Sequence, residues 1–531
     1  MLGRTVLISL LFAAFALVGR TADKVKYEQT TPILHSLFNV RSLFVFLILS
    51  IIFYIIITIF EFFSLKFSLV SNKSHRISTK AIFFICFAII TVCYIPYFIS
   101  DYPAVVTSDS NLILRQAFGA DELYNHHPVL YTLFVMGLCR LGRLIFGSNN
   151  AGVALTALVQ MIGMAATFAF AVTFLVKRKI NKVYAALVLA FFALFPMNAH
   201  FAVTITKDIP FAALMLLLVL SLISLVEKRD KPTAGKMLVP ALLTFLVSLL
   251  RNNALYIMPL LLVFLVISFK GKRLAVLCSF GTPIVAVALI TGVLFPALNI
   301  KKSESTEYIA VPLQQVGRIV CACDVDEKDL AAVNDFLPIE FIEEKYNPTI
   351  VDTLKFKTGT RFGPTYDTGY FDQNKLPLAK LWARLCIKHP LTAADAYLCL
   401  TLGYWYPENY YGPASLGVVE GAADIEVYKA DTEISLLDRA VSAVYETPVI
   451  NRIWNVGLWM WLLILFSVIA GKKNGARALL PFVPVFGLVL TLLAATPIFA
   501  EKRYMYAVLV TLPVLFAIKD IPLNPEKENT K

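Results

Sequence analysis

Residues 43–63 read LFVFLILSIIFYIIITIFEFF, 21 positions with a single charged side chain, Glu61. As a helix rising about 1.5 Å per residue, this stretch covers about 30 Å, the thickness of a bilayer's hydrocarbon. Comparable apolar stretches recur at 5–19, 81–99, 150–176, 183–197, 209–226, 237–250, 254–269, 274–296, 451–470, 479–498 and 503–518. Together they predict an all-α polytopic membrane protein of about 12 transmembrane helices. The stretch at 5–19 is short enough for a signal peptide, but no small-x-small cleavage site follows it, so it reads as a helix.

Composition agrees. Of 531 residues, 58% are apolar and 16% charged, and the mean hydropathy is +0.71, which excludes a soluble enzyme. An aromatic share of 13% excludes disorder, because so much apolar surface outweighs chain entropy. The net charge of +12 hides a segregation: residues 297–450 hold 14 basic and 22 acidic side chains, the remainder 34 and 14. Three regions follow: 1–296, transmembrane with a first external loop at 100–149; 297–450, extracytoplasmic; and 451–531, transmembrane with a cytoplasmic tail. In the middle region, EKDLAAVNDFLPIEFIEEKY and KLPLAKLWARLCIKHPLTAADAYLCLTLGYW carry helical spacing, the second broken at His389-Pro390, so a mostly helical domain is expected.

Orientation follows from basic residues in short loops, which stay cytoplasmic. Clusters at Lys66, Lys73, Arg76 and Lys80, at Lys177 to Lys182, at Lys228 to Lys236, at Lys270 to Arg273 and at Lys472 to Arg477 alternate with loops poor in Lys and Arg. Both termini then read as cytoplasmic. Residues 127–147 resemble one more crossing, but Arg140 and Arg143 share a helical face, and an extra crossing would put the Lys177 cluster outside. An amphipathic helix at the external interface satisfies both facts. Among the cysteines, Cys321, Cys323, Cys386 and Cys399 leave one disulfide open if their segment faces an oxidising compartment, with free thiols as the alternative.

Once sorted by side, the unusual polar residues share one. Asp101, Asp109, His126 and His127 lie on the first external loop; Lys207 and Asp208 start the span at 209; Arg251 and Asn252 fill a tight turn; Arg503 follows the last external turn. Ionisable groups at membrane depth are costly and usually serve a site. Each also has a structural explanation, as a helix-dipole partner or a snorkelling end. A cavity rimmed by Lys207, Arg251 and Arg503 suits a phosphate, with the carboxylates of Asp101 and Asp109 opposite, a set that suggests group transfer. Tyr404, Trp405, Tyr406, Tyr410 and Tyr411 near Glu408 suit either sugar stacking or an aromatic belt.

Asp109, followed by the string HHPVLYTLF at 126–134, is similar to membrane glycosyltransferases of the GT-C type, which include protein O-mannosyltransferases and the aminoarabinose transferases of lipid A. Asp109 matches the acidic position after an early helix, and His127, Pro128, Leu130 and Tyr131 match an HPPLY-like string in which Val129 replaces the second proline. The ending AEKRYMYAVLVTLPVLFAI resembles the type's closing motif, with Arg503 and Tyr504 in place. TKDIPF at 206–211, RNNALY at 251–256, VPLQQVGRIV at 311–320 and GYWYPENYY at 403–411 resemble a bacterial branch of it. Asp109-Ser110 stands where a paired acidic motif is usual, so a divalent cation is left open.

The resemblance implies a polyprenyl-phosphate-sugar donor and an envelope glycan, glycolipid or protein acceptor, met at the outer side of a bacterial plasma membrane. Asp109 would be the catalytic base, with Asp101 as its alternative or its positioner. Lys207, Arg251 and Arg503 would stabilise the departing phosphate, and His126, His127, Asp208 and Asn252 would contact substrate. A multi-span transporter or flippase, or a non-catalytic wall-assembly scaffold, is the competing reading of the same span count. The lipid bilayer accounts for the basic surplus without a nucleic-acid partner.

Overall fold

A computed structural model describes residues 2–71, 77–227, 234–301, 309–356, 365–407, 420–432, 434–448 and 450–523. Among them no strand longer than an isolated bridge occurs, and the chain is an all-α, multi-pass membrane protein. Nine described helices are long and apolar enough to cross a membrane: Gly3–Val25, Val40–Lys66, Thr79–Ser100, Val129–Phe146, Asn149–Lys177, Asp208–Glu227, Lys270–Ala297, Val456–Asn474 and Ala476–Ala495. A bent pair, Lys182–Leu194 with Pro196–Ala202, makes a tenth at a 52° break. The break falls at Pro196, whose ring cannot continue the preceding helix and instead starts the next one.

Three of the stretches read from sequence as crossings fall short of a full span among the described residues. Stretches 237–250 and 254–269 become the shorter helices Gly235–Leu250 and Asn252–Ser268, and 503–518 becomes the 16-residue helix Lys502–Ala517. Val40–Lys66 shows why the long ones suit lipid. Asn39 caps it by accepting from the Ser42 amide at 2.9 Å, and Leu43, Phe44, Ile48, Ile51 and Ile55 point outward, more than half exposed. A helix apolar on every face is at home only in a protein core or in hydrocarbon.

Val129–Phe146, read from sequence as an interfacial helix, has the length and composition of a span. It folds back antiparallel on Asn149–Lys177 across a turn at Gly147, where φ is +77°. Small residues permit the approach: a Cβ on Gly142 would lie 2.6 Å from the Gly152 Cα, and one on Gly152 would lie 2.4 Å from the Cys139 carbonyl oxygen. Further along, the Tyr131 hydroxyl donates to Gln160 at 3.1 Å, so the hairpin stays zipped for several turns.

Loop-to-loop contacts sort the molecule into two ends. At one end, Asn149 and Asn150 donate to the Ile425 and Tyr428 carbonyls, Arg115 pairs with Asp424, and Arg318 donates to the Thr31 carbonyl. Asp395 accepts from the amides of Ile33 and Leu34 at 2.8 and 2.9 Å. At the other end, Asp520 takes Lys473, Lys519 and the Leu69 amide, and Arg178 grips Glu227. The described parts of residues 20–39, 99–128, 203–208, 251–256, 297–450 and 496–503 share the first end with Asn149 and Asn150.

The middle region forms the expected helices, with Thr368–Lys388 and Pro390–Trp405 meeting at His389. Leu313, Ile342, Leu354 and Leu385 give it a hydrophobic core separate from that of the spans. Its four cysteines are free thiols. Tyr404, Trp405 and Tyr406 are packed away between this region and the spans, so sugar stacking is not open to them, while Glu408, Tyr410 and Tyr411 lie outside the described residues. Trp405 lies against Phe15 of the first helix, and its carbonyl accepts from the Trp461 indole at 2.8 Å.

Candidate functional site

Two irregular segments lie side by side and set the geometry. Val105 donates to the Val203 carbonyl and Ile205 donates to the Val105 carbonyl, both at 3.1 Å, which binds 103–106 to 203–206. The first segment leads into the helix Ser108–Phe118 with Asp109 in its opening turn; the second leads into Lys207 and Asp208 at the start of Asp208–Glu227. Gln160, a lone amide in the middle of a long apolar helix, donates to the carbonyls of Ala202 and Thr204 at 3.1 and 2.7 Å. Unwound backbone at this depth needs such a partner.

Ser110, which stands where the resembled family pairs its acids, has a structural task. Thr107 Oγ1 accepts from the Ser110 amide and Ser110 Oγ accepts from the Thr107 amide, a capping box that fixes the first helical turn, in which Asp109 lies. Asp109 then meets Arg503 at 2.5 Å. Glu501 caps the last helix by accepting from the Arg503 amide, and its carboxylate stands 3.6 Å from the Arg503 guanidinium. Beside them the Tyr504 ring lies 5.2 Å from the Arg503 guanidinium and 4.9 Å from that of Arg251, bridging the two cations by its face.

Arg251 is not free to clamp a phosphate. It pairs with Asp208 at 2.8 Å, and the two side chains are 7% and 0% exposed, so the three-cation rim read from sequence loses one member to a buried pair. Asp208, expected at the substrate, serves there as the counter-ion. Asn252 stays in the turn and donates to the Asn125 carbonyl at 3.2 Å, tying that turn to the loop of His126 and His127. By contrast, Asp109 and Arg503 are 27% and 21% exposed and can be reached.

Lys207 turns to His127, whose Nδ1 is 3.0 Å from its Nζ. Burial together with the Lys207 charge pushes the His127 imidazole well below its ordinary range, so it is neutral. Nδ1 then accepts from the ammonium and the ring proton sits on Nε2, a buried atom with no partner among the described residues. Burial likewise pushes the Lys207 ammonium down, against the pull of Asp109 and Asp208. Burial alone would raise the Asp109 carboxyl, but the charges of Arg503 and Lys207 hold it well below the usual carboxylate range. Glu501 goes the other way, pushed up by burial despite Arg503. His126 packs edge-on against His127 and beside Tyr124.

Asp101 falls outside this group. Its carboxylate lies 3.5 Å from His200 Nδ1, and both side chains are buried with Tyr97 edge-on to the imidazole. The reason is local: Asp101 ends the helix Thr79–Ser100, one turn before the chain swings through 103–106 to reach Asp109. Sequence reading passed over His200 and Gln160, whose only signal was a polar side chain inside an apolar run. Among the described residues, no three His, Cys, Asp or Glu side chains gather in an arrangement that could hold a metal ion.

A family model described as a family of unknown function (DUF6020) matches residues 119–521. No curated protein and no solved structure matches the chain.

Proposed function

The chain belongs to the DUF6020 family, and for this member of it we propose a membrane glycosyltransferase with a GT-C-like arrangement of about 12 crossings. It moves a sugar from a polyprenyl-phosphate donor to an envelope glycan, glycolipid or protein on the outer side of a bacterial plasma membrane. One observation carries the reading: an accessible carboxylate, Asp109, is paired with Arg503 and lies within the electrostatic reach of Lys207 at the end of the molecule that holds the polar domain. Apolar spans beneath offer a lipid-linked donor its solvent, and the cations meet its phosphate.

In this mechanism the acceptor hydroxyl attacks the anomeric carbon and its proton passes to Asp109. The bond from that carbon to the phosphate oxygen breaks, and polyprenyl phosphate leaves with the electron pair. Lys207 and Arg503 meet the charge that develops on it. While paired with Arg503, Asp109 is a weak base. As Arg503 turns to the departing phosphate, the carboxylate loses its counter-ion and its proton affinity rises at the moment of transfer. The Asp208–Arg251 pair and Tyr504 hold the frame behind these groups.

The test is mass spectrometry of envelope glycans from cells with the protein, without it, and with Asp109→Asn at equal membrane levels. Loss of one substituent in the second and third samples supports the transferase. Unchanged glycans together with altered movement of an envelope precursor would replace it by the transporter reading.

A further inference from the structure

We propose that the helical domain within residues 297–450 binds a single-chain anionic amphiphile, with the hydrocarbon tail in a cavity of about 400 Å³ and the acid group at Lys375. The cavity floor is Leu313, Val333, Leu337, Ile342 and Leu381, all buried. Its mouth is partly exposed at Val316, Trp382 and Lys375. Protein interiors pack like organic crystals, with few voids larger than a water molecule. A space in the range of small-molecule sites, roughly 300–1,000 Å³, whose lining is almost wholly carbon, offers water nothing to bond and suits an apolar chain.

Two features hold the cavity open. The helix Thr368–Lys388 bends where it borders it: Asn374 leaves helical geometry at φ −114° and ψ 21°, and Pro377 cannot donate to the preceding turn. Further along the same helix, the Trp382 indole donates to Gln315 of the facing helix Ala310–Ala322 at 2.8 Å, which fixes the ring at the rim. Charge selects the head group. Lys375 is the one ionisable side chain in the lining and is more than half exposed; it stands on Asp372 at 2.8 Å in an exposed ion pair that an incoming acid can replace. Because the domain has its own core, this site stands or falls independently of the transferase reading.

The experiment uses the full-length protein in nanodiscs, with dibrominated stearate as the probe and tryptophan emission as the readout. The chain has five tryptophans, so the difference between wild type and Trp382→Phe isolates the cavity signal. Saturable quenching of that difference signal is expected. The methyl ester of the same probe should bind about two- to fivefold more weakly than the acid, and Lys375→Met should remove that distinction. Val316→Phe should block quenching without lowering the melting temperature. Absence of a saturable difference signal would overturn the site, as would a drop in melting temperature on Val316→Phe, since the space would then be filled by the protein itself.

Discussion

Arg503, on the last helix, pairs at 2.5 Å with Asp109, which lies 394 residues earlier on a short helix outside the spans. Both are accessible, and neither is adjacent in sequence to Lys207, the third member of the group. Asp109→Asn keeps the shape of the side chain and removes its charge and basicity. Transfer should fall by at least about 100-fold with the melting temperature little changed. Exchanging the two, Asp109→Arg with Arg503→Asp, should re-form the ion pair and keep the melting temperature without restoring transfer. Glycan mass spectrometry and thermal unfolding of the purified protein read the two outcomes.

Asp208 and Arg251 behave differently because they are buried. Arg251→Met strands a carboxylate and should cost about 3–5 kcal/mol, whereas the double change Asp208→Asn with Arg251→Met should cost less than that single one. A double-mutant cycle on thermal unfolding in detergent measures the coupling. Additive losses would show that the pair is not formed.

Lys207 carries a stability cost with a definite pH dependence. Its ammonium is pushed down by burial, so in the folded state the charged form is disfavoured, and the cost is fully present below the lowered value. It is relieved as pH rises from there toward the ordinary lysine value. Lys207→Met should therefore melt no lower than wild type at neutral pH, with its advantage shrinking as the solution becomes alkaline, while transfer is lost. A melting-temperature series over pH tests the sign.

The hairpin of Val129–Phe146 on Asn149–Lys177 depends on contact at Gly152, where a Cβ would fall 2.4 Å from a backbone oxygen. Gly152→Val should separate the helices and cost about 1–3 kcal/mol. Gly163→Val, where nothing lies within 4 Å, should cost much less. Thermal unfolding compares them directly.

The sequence carried the spans, the polar domain and the gathering of Asp109, Lys207, Arg251 and Arg503 at one end, because apolar length and loop charge are local properties. Pairing is not local. Nothing in TKDIPF and RNNALY says that Asp208 will occupy Arg251, since that depends on how two helix ends meet in space. The role of Ser110 as a cap is legible in principle, because Thr-x-x-Ser before an amphipathic run is a helix start. His200 and Gln160 were hidden by the averaging that finds spans, in which one polar side chain barely alters a window of twenty.

The helix Pro390–Trp405 leaves the polar domain and ends among the spans. There the Gly403 amide donates to Phe499 at 2.8 Å and the Tyr404 hydroxyl accepts from the Glu501 amide at 3.3 Å. Gly403 also lies so close to Phe499 and Ala500 that a methyl group would not fit between them. Any tilt of this rod pulls on the turn that carries Glu501 and Arg503, so whatever settles on the helical domain has a mechanical lever on the charge balance at the site.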